Sequence, residues 1–122
     1  MAVLRITPNL STDTPGALAA FYRDLLGLEV AMDMDFIVTL RSGAADAPPR
    51  QTPQVSCASE GGGGTPLPVL SVEVDDLDPV IAQAALMGAV PEYGPVHEPW
   101  GVRRLFLRDP AGHLINVLEH SE

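Results

Sequence analysis

Glu98-Pro-Trp-Gly-Val-Arg-Arg-Leu-Phe-Leu-Arg-Asp-Pro-Ala-Gly-His-Leu-Ile-Asn-Val-Leu-Glu119 reads as two β-strands, 102–107 and 114–118, joined by a tight turn at Asp109-Pro-Ala-Gly112. Asp at the first corner can bond its own backbone, Pro presets φ at the second, and Gly supplies the free dihedral at the end. Such a turn sets the register of a hairpin. Side chains alternate along a strand, so Leu114, Asn116 and Leu118 share one face and Ile115, Val117 and Glu119 the other. Asn116 is then a lone amide among apolar neighbours.

Working outward, the 122 residues suffice for one domain, and 46% hydrophobic residues indicate a folded core. No apolar run approaches the roughly 20 residues of a membrane span, and the first residues lack the order of a signal peptide. The expectation is a cytoplasmic chain with no membrane partner. Seven basic against sixteen acidic residues, a formal charge of −9, argue against nucleic acid, which requires a basic surface. The same balance suits a cationic ligand or ordinary solubility. Cys57 stands alone, which fits a reducing compartment, and it reads as a small core residue rather than a nucleophile.

From the amino end, 4–10 reads as a strand whose Pro8 removes a ladder donor, placing it at an edge or deferring its pairing beyond that residue. Ser11-Thr-Asp-Thr14 offers helix caps, Pro15 suits a first turn, and Leu18, Phe21, Tyr22, Leu25 and Leu26 form a helical stripe ended by Gly27. Strands are expected at 28–32, 36–40 and 53–58, with a connection at 33–35 and a long surface loop at 41–52. The glycines 61–64 form a flexible joint. They lack the Lys-Ser/Thr and the following helix of a phosphate cradle. The pattern then restarts with a strand at 69–74, a helix opened by Asp78-Pro79, and Gly88 at its end. Gly88 lies 61 positions after Gly27, half of 122, which signals a duplication.

The doubled βαβββ order, Phe21-Tyr22-Arg23-Asp24-Leu25-Leu26-Gly27 at the first helix end, and Trp100-Gly101 followed by Arg103 and Asp109-Pro-Ala-Gly112 resemble the vicinal oxygen chelate superfamily. That superfamily includes glyoxalase I, extradiol dioxygenases, fosfomycin-modifying enzymes and bleomycin-resistance proteins. The resemblance spans nearly the whole chain. It implies a single α+β domain over 1–122, with tandem modules at about 1–60 and 66–122. Each module is expected to curl into half of a cup-like mixed sheet with helices outside, and the chain to form a homodimer.

The resemblance further implies a divalent metal held by His, Glu or Gln at one position on each of four strands. Those positions fall at Thr7 (or Asn9), Ser56 (or Gln54), Val69 and Asn116, and none of them is a His or a carboxylate. His97, His113 and His120 read as surface or packing residues, lacking partners at ligand spacing. No metal and no other cofactor is therefore expected, and the missing donors weigh against an enzyme. What remains is a binding site nearest the bleomycin-resistance-like members, for which Trp100, Asn116, Phe36, Met32, Asn9, Glu73, Arg103 and Tyr93 are the candidate ligand contacts. Trp100 would stack on a flat or cationic guest, an antibiotic among the candidates. The alternative is a metal-dependent lyase or dioxygenase with displaced ligands.

Overall fold

The computed structural model describes residues 1–42 and 52–120. The expected loop at 41–52 falls almost wholly outside them. Eight strands and two helices follow the doubled order: β1 (Val3–Ser11), α1 (Pro15–Leu26), β2 (Leu28–Met34), β3 (Ile37–Ser42), β4 (Gln54–Ala58), β5 (Leu70–Val74), α2 (Asp78–Leu86), β6 (Tyr93–Glu98), β7 (Val102–Arg108) and β8 (Leu114–His120). In the mixed sheet the strands are ordered β2-β3-β4-β1-β5-β8-β7-β6. The α+β fold class read from the sequence is therefore observed.

The chain divides into two compact units, one of residues 7–67 and one of residues 1–6 with 68–122. β1 is thus shared, changing allegiance after Ile6. Its interior place in the strand order corrects the edge reading of Pro8. The other reading of that proline fits better, because β1 pairs with β4 only beyond it, at Asn9 to Ser11. Pro8 cannot donate to a ladder, and it lies just before the residues that pair with β4.

In the first unit, Pro15 opens α1 as expected, although the Thr14 side chain makes no cap bond. Gly27 ends the helix in the left-handed region, its N–H donating to the Arg23 carbonyl. Ala19, Val38, Leu40 and Cys57 form the core, with Leu18, Tyr22, Leu28 and Val55 packed against them. Burial pushes the Cys57 thiol pKa up, which suits the core role read for it. Phe21, Leu25 and Leu26 of the expected stripe are exposed instead. The β2–β3 hairpin is also tighter than read. β2 runs on to Met34, and the turn is Asp35-Phe36.

In the second unit, the β7–β8 hairpin has the anticipated register, with Phe106 opposite Asn116 and Arg104 opposite Leu118. Asp109 Oδ1 accepts from the Ala111 and His113 N–H groups at 3.0 and 2.8 Å, and Gly112 takes a positive φ of 89°. Both corners of the turn therefore behave as the sequence implies. Leu105 and Val117 point toward α2, where they meet Val74, Leu77, Val80 and Ile81. Leu105 is fully buried. Leu105→Ala should lower unfolding free energy by about 2–5 kcal/mol, read as a reduced urea midpoint with an unchanged slope.

Candidate functional site

Alternation about Leu105 and Val117 sends the even-numbered residues of β7 and β8 to the face turned away from α2. β5 joins through its parallel register, Ser71 beside Asn116 and Glu73 beside Leu118. β6 adds Tyr93 opposite Phe106 and Glu98 opposite Val102. The face so built is unusually polar for its burial. Glu73, Arg104 and Asn116 are 2%, 4% and 7% exposed. Burying such groups is unfavourable unless each finds a partner, so their partners define the site.

Arg104 is held by a local cluster. Its Nε donates to Glu98 Oε2 at 2.7 Å, and the Tyr93 hydroxyl donates to the same carboxylate at 3.1 Å. The guanidinium lies over Phe106, Trp100 and Tyr93, at 4.7, 5.0 and 5.4 Å from their ring centroids. Tyr93 and Trp100 are thus brought together, and a face of each ring already receives a cation from the chain itself. Arg103, the neighbouring residue, is not brought to this face. Its Nη2 donates to Asp78 at 2.7 Å and to Glu119 at 2.8 Å, on the α2 side.

Asn116 donates from Nδ2 to Ser71 Oγ at 3.1 Å, while its Oδ1 is buried with no hydrogen-bond partner among the described residues. Beside it, Glu73 has Arg5 Nε 2.8 Å from Oε1 and His120 Nδ1 2.6 Å from Oε2. Arg5 and His120 are residues that the sequence reading did not select. The available signal was parity, since His120 lies four residues beyond Asn116 on the same strand face.

In the first unit, the face away from α1 carries one row across four strands: Asn9 beside Ser56, Ser56 beside Thr39, and Thr39 beside Met32. Thr39 Oγ1 and Ser56 Oγ are hydrogen-bonded at 2.8 Å. Asn9 and Met32 thus share this row. Phe36 stands apart in the β2–β3 turn, its carbonyl accepting from Ser59 N at 2.9 Å.

These residues do not suit the metal that the fold implies. The positions that the resemblance implies would supply a buried hydroxyl at Thr7 (or an amide at Asn9), a second hydroxyl at Ser56 already bonded to Thr39 (or an amide at Gln54), an alkyl group at Val69 and an amide at Asn116. Among the described residues no three His, Cys, Asp or Glu side chains are grouped to hold an ion. A divalent cation needs imidazole, thiolate or carboxylate donors to offset its lost hydration, and this set provides none of them.

With the geometry in place, comparison with known proteins gives the family. The glyoxalase-like domain family matches residues 6–118. The chain belongs to that family. No curated protein matches it. Among solved structures, an NAD-dependent benzaldehyde dehydrogenase from Legionella pneumophila is 13% identical with a TM-score of 0.72, over 95% of this chain and 99% of that one. A glyoxalase/bleomycin resistance protein/dioxygenase superfamily member from Vibrio splendidus 12B01 is 18% identical, TM-score 0.61, over 98% and 99%. Methylmalonyl-CoA epimerase from Mycobacterium tuberculosis is 15% identical, TM-score 0.62, over 98% and 88%. At these identities the likeness extends to the fold of this glyoxalase-like chain, and the superfamily resemblance read from its turn and helix-end motifs agrees with it.

The Arg103 bridge makes a pH-dependent contribution of its own. The Arg103 guanidinium, joined by the Leu77 N–H at 2.8 Å, holds the Glu119 carboxyl below the usual carboxylate range. A depressed folded pKa contributes stability that is in place above the unfolded value of about 4.3 and is lost as pH falls through the folded value. Glu119→Gln should therefore be less stable than wild type at pH 7, and the gap should close on acidification below pH 4. Urea melts across pH 3–7 would measure it.

Proposed function

We propose that this glyoxalase-like chain is a metal-independent small-molecule binding protein whose guest donates a hydrogen bond to Asn116 Oδ1. The observation that carries this reading is the buried Asn116 carbonyl, which lacks a partner among the described residues. Such an acceptor represents an unmet desolvation cost that a bound N–H or O–H would offset. The amide is presented by a fixed hairpin and steadied by Ser71, so a guest would meet it preorganised. The formal charge of −9 supports a cationic or polar guest over an anionic one. Sequestration of a planar or cationic molecule, an antibiotic among the candidates, is the role that follows. The donor set described above gives the metal-dependent alternative no support from the geometry.

Native mass spectrometry of the purified chain should reveal a co-purifying small molecule, and titration calorimetry with that molecule should show one-site binding. Asn116→Leu should weaken the binding by roughly 1–3 kcal/mol, about 5- to 150-fold, with the fold unchanged by circular dichroism. Elemental analysis showing a stoichiometric divalent metal would overturn the metal-independent reading.

A homodimer belongs to the same proposal. Phe21, Leu25 and Leu26 of α1 leave apolar surface exposed, which a second copy would cover. Sedimentation equilibrium should return twice the 12.9 kDa chain mass, and Leu25→Glu should shift the protein toward monomer.

A further inference from the structure

Beyond binding, the face turned away from α2 carries a group equipped for proton transfer. We propose that His120 is a metal-independent general base and that Glu73 is its positioning residue. Glu73 is 2% exposed and acts as a bridge, one oxygen 2.8 Å from Arg5 Nε and the other 2.6 Å from His120 Nδ1. An ionised carboxylate only accepts hydrogen bonds, so the imidazole must carry its proton on Nδ1 to make that contact. The lone pair of a neutral ring is then on Nε2. Nε2 has no hydrogen-bond partner among the described residues, and the side chain is 44% exposed. One nitrogen is therefore anchored to a buried acid while the other has no partner among the described residues.

Arg5 supplies the second contact of the buried carboxylate. The Glu73 charge is already balanced by a guanidinium, so a second cation is not required to neutralise it. A ring that begins neutral can accept a proton, and the adjacent carboxylate then stabilises the imidazolium. In the step proposed, the Nε2 lone pair takes a proton from a carbon or oxygen acid. The pair left behind moves onto the substrate's electron-withdrawing group, and the imidazolium later returns its proton to product or water. The proposal needs no metal and does not depend on recognition of a guest by Asn116.

The probe is 5-nitrobenzisoxazole, a flat carbon acid. A base removes its ring C–H proton, the C–H electron pair becomes part of a nitrile, and the N–O bond breaks to release a coloured phenolate. With the full chain at pH 8, the rate should exceed that of free imidazole at equal concentration by about a hundredfold. His120→Gln should remove that excess, and Glu73→Gln should lower it by about tenfold. His97→Ala, an exposed change on β6, should leave the rate as it was. A wild-type rate no faster than imidazole, or an undiminished rate in His120→Gln, would overturn the proposal. Because Glu73→Gln removes a buried bridge and can unfold the chain, nitrogen-15 NMR of the wild-type ring provides a second test. At pH 8 the proton should be on Nδ1 alone. Protons on both nitrogens would mark a purely structural ion pair and would overturn the assignment.

Discussion

The two-residue alternation of β7 and β8, pinned by the Asp109 turn, is the constraint on which the rest of this chain depends. Asp109 ties the corner through two backbone bonds, and the register that follows leaves each residue a choice of two faces. Odd positions such as Leu105 and Val117 go to α2 and form the core. Even positions such as Arg104 and Asn116 are committed to the opposite face. A slip by one residue would exchange the two sets, exposing leucine and driving arginine into the apolar cluster.

That commitment creates a cost which the surrounding strands resolve. Glu73 and Arg104 carry charge at positions with almost no solvent access, and an isolated charge there would be strongly unfavourable. Each is therefore met by other side chains. Arg104 is enclosed by Glu98 and three aromatic rings, and Glu73 is bridged by Arg5 and His120. Asn116 differs in that only one end of its amide is answered among the described residues. The face thus joins the Arg104 cluster, an amide answered at one end among the described residues and an imidazole in contact with a buried acid.

The side chains at the positions that the resemblance assigns to a metal do not suit a divalent cation. The hydroxyl, alkyl and amide groups at the family positions are weak ligands or none for a divalent cation, yet all but the alkyl group are competent hydrogen-bonding partners. A family scaffold can keep its sheet and replace coordination by hydrogen bonding, because backbone register places the positions regardless of the side chain carried there.

Much of the architecture was legible in local signals. The Asp-Pro-Ala-Gly turn, the Gly27 helix end and the repeat of half the chain length each reflect interactions between residues close in sequence, and these survive into the fold nearly unchanged. Tertiary structure alone decided the partners. Glu73 and His120 are separated by 47 positions and Asn116 and Ser71 by 45, and nothing local to either pair announces the contact. The sequence offers Trp100 as a stacking surface and Arg103 as a ligand contact, yet the Arg104 guanidinium lies over Trp100 and strand parity turns Arg103 toward α2. The physical reason is that turns and helix ends are governed by dihedral preferences of adjacent residues, whereas the partner of a buried polar group depends on which strand lies beside it.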